Sequence, residues 1–166
     1  MTYFELYELP ISFITDPSYI KKKFLELSRL YHPDRYVNKP IIEQTQADEM
    51  SAMNNRAYKT FSDPVVLIKY VLSLYHKIDE EETHSLDQEF LMEMLDLNDL
   101  IISDSEKASS EIHRMKSELK ADVQSDLNAF NPAQINDPIL DKIKEYYFKM
   151  KYLGRLEKNL HGIQDL

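Results

Sequence analysis

Apolar residues recur every three or four positions along almost the whole chain, and prolines fall between the periodic segments. This spacing puts apolar side chains on one face of an α-helix, whereas the period-two alternation typical of a half-buried β-strand is scarce. We therefore predict an all-α protein with little or no sheet.

Two long helices joined by a loop are predicted in the first half of the chain. Asp16 is a favourable N-cap, and Pro17 suits the first turn of a helix because its missing N–H would have no partner there. The apolar stripe that follows ends near Tyr31, and a second stripe spans 41–61. Packed stripe to stripe, the two helices should form an antiparallel hairpin.

Further helices are predicted on both sides of this hairpin and through the second half of the chain. A short apolar segment over 3–9 should cover one end of the hairpin, and a helix over 65–75 should follow Asp63-Pro64. Each of three later helical patterns carries an apolar face, and a three-helix bundle is the simplest way to bury those faces. These patterns cover 87–102, 105–129 and 138–160.

A polar, acidic stretch without periodicity should separate two domains. We predict a first domain over 1–75, a linker over 76–85 and a C-terminal three-helix domain over 86–166. The first 75 residues are neutral overall, so the formal net charge of −9 lies in the remainder. This distribution argues against nucleic-acid binding through a broad basic surface.

Composition excludes several kinds of chemistry. The absence of cysteine removes disulfides, thiolate metal sites and thiol nucleophiles, and two glycines cannot build a glycine-rich phosphate loop. The five histidines are scattered, with no pair at the i, i+4 spacing of a helical metal site. We therefore expect no enzyme activity, no catalytic residue, no metal site and no cofactor; if ATP matters, a partner should bind it.

The N-terminal residues show neither the regions of a secretory signal nor the arginine-rich character of a transit peptide. No apolar run approaches the roughly 20 residues needed to span a bilayer. The resulting expectation is a soluble, cytoplasmic protein without a membrane partner.

The sharpest motif is the tripeptide His32-Pro33-Asp34, in the loop between the hairpin helices. The helix before it carries cations outside its apolar stripe. In this setting residues 1–75 resemble a J-domain, whose HPD loop and basic second helix dock on a DnaK-type chaperone and stimulate its ATP hydrolysis. The resemblance implies a chaperone-binding set, namely Lys21, Lys22, Lys23, Arg29, His32, Pro33, Asp34 and Arg35.

The physical chemistry of the loop suits this role. Proline restricts the loop, so little conformational entropy is lost on docking, and the Asp34 carboxylate can accept a charge-assisted hydrogen bond from the partner. The basic helix face should steer the domain toward an acidic surface. The alternatives are a solvated helix face for the cations and a plain hairpin turn with an aspartate cap for the tripeptide.

The second half of the chain indicates which J-protein family this is. The segment FLMEMLDL at 90–97, the opening Tyr3-Phe4, the segment YVLSL at 70–74 and the overall length resemble the HscB family, the co-chaperones of iron–sulfur cluster assembly. The glycine-rich linker and cysteine-rich zinc module of general J-proteins are missing. The resemblance implies two partners, a DnaK/HscA-type ATPase chaperone and a scaffold protein of the IscU type.

Two helices of the second half carry more apolar surface than one core contact needs. On the helix over 87–102, a second apolar sector lies about 150° from the core stripe and is flanked by acids. Such a patch is typical of a protein-binding site, but a helix with two neighbours in a bundle also has a wide apolar face. In the HscB family the matching positions contact the scaffold protein. The resemblance therefore implies a client-binding set, namely Leu91, Met92, Leu95, Asp96, Asp99 and Tyr152.

Two rival functions stay open from the sequence. One is a J-domain co-chaperone whose acidic second domain serves a different client. The other is an all-helical adaptor in which the HPD tripeptide is a chance match, which predicts no effect on a chaperone ATPase.

Overall fold

The computed structural model of the chain describes residues 1–79 and 85–164. Within these ranges the secondary structure is helical and no strand occurs, which confirms the predicted all-α fold. The predicted linker includes residues 80–84, which lie outside the described residues. The chain divides into two units, Met1–Val71 with Asn131–Gln134 and Leu72–Phe130 with Ile135–Leu166.

The first unit is built on the predicted helical hairpin. Phe24 of one helix stacks on Tyr58 of the other with 4.2 Å between ring centroids, and Asn54 donates a hydrogen bond to the Ser28 hydroxyl. The pairing of 24 with 58 and of 28 with 54 means that the two helices run antiparallel. The elements are α1 (Tyr3–Leu6), α2 (Pro17–Leu30), a 3-10 turn (Pro33–Arg35), α3 (Ile41–Ser62) and α4 (Pro64–Leu74), and α4 continues into the second unit.

The short helix α1 covers one end of this hairpin. It is held in place by a capping box in which the Thr2 hydroxyl accepts from the Glu5 N–H and the Glu5 carboxylate accepts from the Thr2 N–H. Phe4 and Tyr7 then pack edge-to-face against Phe61 of α3, with centroid separations of 5.1 and 5.0 Å. The 3–9 segment therefore has the covering role predicted for it.

A buried amide joins α2, α3 and the residue that ends α1. Asn54 is 1% exposed, and its Nδ2 donates to the Phe24 carbonyl and the Ser28 hydroxyl, each at 3.1 Å. Its Oδ1 accepts from the Tyr7 hydroxyl at 2.8 Å. Because each polar atom of the side chain has a partner, the amide can occupy the apolar interface without a large desolvation penalty.

The second unit contains a three-helix bundle, as predicted. Asp104 makes the tight turn between its first two helices, since its N–H donates to the Leu100 carbonyl and its carboxylate accepts from the Lys107 N–H. The predicted core stripe of Phe90, Met94, Leu97 and Ile101 is buried. The helices are α5 (Gln88–Ser103), α6 (Ser105–Ala129) and α7 (Asp137–Gln164).

On α7 the buried face changes along the helix. Tyr152, one of the predicted client contacts, is partly buried against the core and lies edge-to-face with Phe90 at 6.2 Å. An α-helix drifts about 20° per heptad against a fixed seven-residue repeat. The face that is buried in the first half of a long helix is therefore rotated in its second half. The buried apolar residues of the later half are Leu153, Leu156 and Leu160.

Candidate functional site

The HPD tripeptide forms a single 3-10 turn at the tip of the hairpin. Its N-cap is His32, whose Nδ1 accepts from the Asp34 N–H at 3.3 Å, and the Tyr36 N–H closes the turn on the Pro33 carbonyl at 2.9 Å. The side chains of His32 and Asp34 are 57% and 87% exposed. The capping role therefore belongs to His32, and the Asp34 carboxylate points into solvent where a partner can reach it.

The loop is fastened to the end of α2 by two side chains. Arg35 donates from Nη1 to the Arg29 carbonyl at 3.1 Å, and the Tyr36 hydroxyl donates to the Leu30 carbonyl at 3.2 Å. These are carbonyls of the last helical turn, which have no partner within the helix. The tethers therefore hold the tripeptide in a fixed place beside α2. Tyr36 was missed by sequence reasoning, because nothing local to the motif marks an aromatic residue as a helix C-cap partner.

The cations of α2 fall into two groups. Lys21, Lys22 and Arg29 are exposed, as a basic docking face requires. Lys23 is 8% exposed, and its ammonium binds the Glu8 carboxylate at 2.6 Å, a hydrogen bond that raises the Lys23 pKa. The prediction that Lys23 belongs to the docking face is therefore corrected, because its side chain is buried and its ammonium already binds a carboxylate.

A second surface lies on α5, opposite its core stripe. Leu91, Met92 and Leu95 are 38%, 67% and 64% exposed, whereas Met94 and Leu97 on the same helix are buried. The alternative that the wide apolar face of α5 is buried by its neighbours is thus excluded for these three side chains.

The apolar side chains of this surface have an acidic border and extend further than predicted. Asp96 and Asp99 are exposed on the same helix. Ile102 lies one turn beyond the predicted set and is 81% exposed. It belongs to the second apolar sector of this helix but not to the predicted client-binding set. We call Leu91, Met92, Leu95, Asp96, Asp99 and Ile102 the α5 patch.

The first turn of α5 is anchored to α7. The Asp87 carboxylate caps α5 by accepting from the Phe90 N–H at 2.7 Å, and Lys149 Nζ lies 3.0 Å from the same carboxylate. These contacts, the backbone hydrogen bond first, hold the pKa of Asp87 below its usual value. Lys149 also lies 5.1 Å from the centroid of the Phe90 ring. These contacts therefore hold the N-terminus of α5 in place on α7.

Neither surface offers metal-binding chemistry. Within the part of the chain that the structure describes, no three His, Cys, Asp or Glu side chains are grouped so that they could hold a metal ion. In the same part, none of the helices combines the length and apolar character needed to cross a membrane.

Comparison with known proteins points to one family. Residues 86–161 match the family described as the HSCB C-terminal oligomerisation domain. The chain is 28% identical over 171 residues to a co-chaperone protein HscB homolog of Aliivibrio salmonicida (strain LFI1238), and 26% identical to one of Shewanella loihica (strain ATCC BAA-1088 / PV-4). Each of these matches covers 99% of this chain and 98% of the relative.

Solved structures show the same fold. The chaperone HscB of Vibrio cholerae matches with a TM-score of 0.77 and 24% identity, over 99% of this chain and 98% of the other. The human co-chaperone protein HscB matches with a TM-score of 0.83 and 24% identity, over 99% of this chain and 82% of the other.

A helical hairpin with an exposed HPD turn at its tip and cations on the preceding helix defines a J-domain co-chaperone. Together with a C-terminal bundle that matches the HSCB domain and relatives aligned along nearly the whole chain, this supports the HscB family of co-chaperones.

Proposed function

We propose that this protein stimulates ATP hydrolysis by a DnaK/HscA-type chaperone and delivers to it a scaffold protein of the IscU type, in the maturation of iron–sulfur proteins. The observation that supports the first half is the tethered 3-10 turn, which presents His32 and Asp34 to solvent. The observation that supports the second half is the exposed α5 patch. The protein itself breaks no bond in this scheme, because the chaperone binds and hydrolyses the nucleotide.

Docking on the chaperone has a long-range and a short-range component. Lys21, Lys22 and Arg29 provide positive charge that steers the hairpin toward an acidic surface and raises the association rate. At contact, the Asp34 carboxylate accepts a charge-assisted hydrogen bond from a cationic donor of the chaperone. Because Arg35 and Tyr36 already hold the turn, little ordering entropy is lost in this step.

Client binding uses the α5 patch. Leu91, Met92 and Leu95 offer apolar area that the bundle leaves in water, and burying it against a client is favourable. Asp96 and Asp99 form a polar border that favours a basic counterpart and fixes the register of the complex. Tyr152, partly exposed beside Phe90, belongs to the same proposed client-binding set.

Carrying both surfaces on one chain has a thermodynamic consequence. A client bound to the second unit is kept at high effective concentration near a chaperone docked on the first, although each contact alone can be weak. Hydrolysis then closes the chaperone on the delivered client. The cytoplasm, predicted from the sequence, is where we place this activity.

The test is steady-state ATP hydrolysis by the cognate HscA-type chaperone, with wild-type protein and His32→Gln, each with and without the IscU-type scaffold. We expect stimulation that is lost in His32→Gln and that grows synergistically with scaffold. The variant Leu91→Ser/Leu95→Ser should keep the stimulation by the co-chaperone alone and lose the synergy. Stimulation without any scaffold synergy in the wild type would favour a co-chaperone for a different client. The absence of any stimulation would favour an all-helical adaptor.

A second role for the α5 patch follows from the name of the matched family, which is an oligomerisation domain. In this role, another copy of this chain covers the same apolar surface. Sedimentation velocity of the wild type and of Leu91→Ser/Leu95→Ser distinguishes the two occupants. A wild-type oligomer that becomes a monomer in the variant would assign the patch to self-association, whereas a monomer in both leaves it to the client.

A further inference from the structure

Methionine is the sulfur-containing residue that this chain offers to oxidants. The sequence has seven methionines and no cysteine, so no thiol of the chain competes for a two-electron oxidant such as hydrogen peroxide. Met92 is 67% exposed and Met1 is 80% exposed, whereas Met94 and Met115 are 0% and 8% exposed. The other three, Met50, Met53 and Met150, are partly exposed. Because an oxidant must reach the sulfur atom, Met92 and Met1 are the most accessible targets.

Met92 differs from Met1 because it belongs to the α5 patch. At about 100° per residue, its side chain leaves α5 between those of Leu95 and Asp96, where the apolar part of the patch meets its acidic border. A partner that covers this point must take the thioether out of water. Met94, two residues further along, is closed to solvent in the bundle core. One helix thus carries an accessible sulfur on the patch and a protected sulfur in the core.

Peroxide converts an accessible thioether into a sulfoxide. One oxygen of hydrogen peroxide is transferred to sulfur, so that the S–O bond forms as the O–O bond breaks, and the other oxygen leaves as water with both hydrogen atoms. Sulfur is oxidised by two electrons, which the peroxide accepts. On Met92 the new oxygen is a hydrogen-bond acceptor next to the Asp96 carboxylate, which is also an acceptor. Covering the sulfoxide with an apolar partner surface leaves its oxygen without a donor, which is unfavourable.

We propose that Met92 is a reversible oxidation site, whose conversion to the sulfoxide releases the client from the α5 patch and whose reduction restores binding. The inference rests on the proposed function, because it takes the patch to bind the IscU-type scaffold, and it adds redox control to that step. The fold should survive, since Met94 and Met115 are protected in the core. Chaperone stimulation by the co-chaperone alone should also persist, because the HPD turn and the cations of α2 contain no sulfur.

The experiment follows oxidation and scaffold binding in the same samples of the full chain. Hydrogen peroxide is added, catalase removes it, and the scaffold is added only afterwards, so that it never meets the oxidant. Peptide mass spectrometry measures sulfoxide at each methionine, and calorimetric titration measures the dissociation constant for the scaffold. We expect Met92 to be oxidised before Met94 and Met115, and the dissociation constant to rise about 5- to 30-fold. Methionine sulfoxide reductase with a dithiol should return it to the untreated value.

The variant Met92→Leu separates this site from the other methionines. Leucine is apolar, similar in size and free of sulfur, so treatment should leave the dissociation constant of this variant at its own untreated value. Met53→Leu, which removes a partly exposed sulfur of α3, is the matched control and should lose affinity on treatment as the wild type does.

Three results would overturn the inference alone: an equal loss of affinity in treated Met92→Leu, unaltered affinity in oxidised wild type, or oxidation of Met94 ahead of Met92. Circular dichroism of the treated samples checks that the protein stays folded, and unfolding on treatment would count against the inference as well. Absence of scaffold binding by the untreated wild type is a different result, which would overturn the proposed client function and this inference with it.

Discussion

The Arg35 guanidinium donates a hydrogen bond from Nη1 to the main-chain oxygen of Arg29 across 3.1 Å. The bond holds the Arg35 side chain against the last turn of α2, and the Arg29 and Arg35 side chains line the same surface depression. The contact links the HPD turn to the basic face of α2, so the two form one continuous surface.

Replacing Arg35 by lysine separates charge from tethering. Lysine keeps the positive charge but lacks the planar fork with which arginine reaches the Arg29 carbonyl. A hydrogen bond of this kind is worth about 0.5–1.5 kcal/mol, so Arg35→Lys should raise the half-maximal co-chaperone concentration about 2- to 10-fold. Arg35→Gln, which also loses the charge, should be weaker still at low salt. ATPase titrations at low and high salt check this, and equal behaviour of Arg35→Lys and the wild type would show that the tether is dispensable.

Tyr7 and Asn54 should be energetically coupled. Asn54→Leu leaves the buried Tyr7 hydroxyl without its 2.8 Å partner, and we expect the free energy of unfolding to fall by about 1–3 kcal/mol. In the Asn54→Leu background, Tyr7→Phe should cost much less than it does in the wild type. Because the chain has no tryptophan, urea unfolding is best followed by circular dichroism. Asn55→Ala, at an exposed neighbouring position, is the control, and simple additivity of the two substitutions would contradict the coupling.

Met92 and Met94 form a matched pair on α5. Met94 is 0% exposed and Met92 is 67% exposed. Met94→Ala opens a cavity in the bundle and should lower the free energy of unfolding by about 2–5 kcal/mol. Met92→Ala should change that free energy by less than about 0.5 kcal/mol and instead weaken binding of the IscU-type scaffold. Urea unfolding and calorimetric titration with the scaffold measure the two effects, and unaltered scaffold affinity in folded Met92→Ala would remove Met92 from the client surface.

Asp87 should contribute to stability in a pH-dependent way. The pKa of Asp87 is lowered in the folded protein, so the unfolded chain binds a proton at this carboxylate more readily. The stability that Asp87 contributes is therefore fully present above the usual aspartate pKa. It is lost as the pH falls through the lower, folded pKa. Asp87→Asn should therefore lower the urea midpoint at pH 7, and the difference from the wild type should shrink toward pH 2–3. Lys149→Gln should give a smaller effect of the same sign, and a difference that grows on acidification would refute this account.

Lys22 and Lys23 are neighbours in sequence with different roles. Lys22→Met removes an exposed cation of α2 and should raise the half-maximal co-chaperone concentration in the ATPase assay. Lys23→Met changes a side chain that is 10% exposed and removes its ion pair with Glu8, so it should lower thermal stability and leave stimulation unchanged. Equal loss of stimulation in both variants would restore Lys23 to the docking surface.

The sequence by itself determined the helices and the position of the motif. The helix predicted over 105–129 is Ser105–Ala129 in the structure, and α2 begins at Pro17 because the Asp16 carboxylate caps the Ser18 N–H at 3.0 Å. Helix starts, proline breaks and apolar periodicity depend on residues a few positions apart, so they can be read from the chain alone. The same holds for the HPD tripeptide, whose loop position follows from its two neighbouring helices.

Only the tertiary structure decided which side chains of each face remain in water. Lys23 is buried because Glu8, fifteen residues earlier, meets its ammonium. Leu91 and Leu95 are exposed while Met94 is buried, because the packing of α6 and α7 covers one sector of α5 and not the other. Periodicity defines the direction in which a side chain points, but the width of the covered sector depends on helices distant in sequence. For that reason, the basic face of α2 and the α5 patch were predicted in outline, and the structure determined their membership.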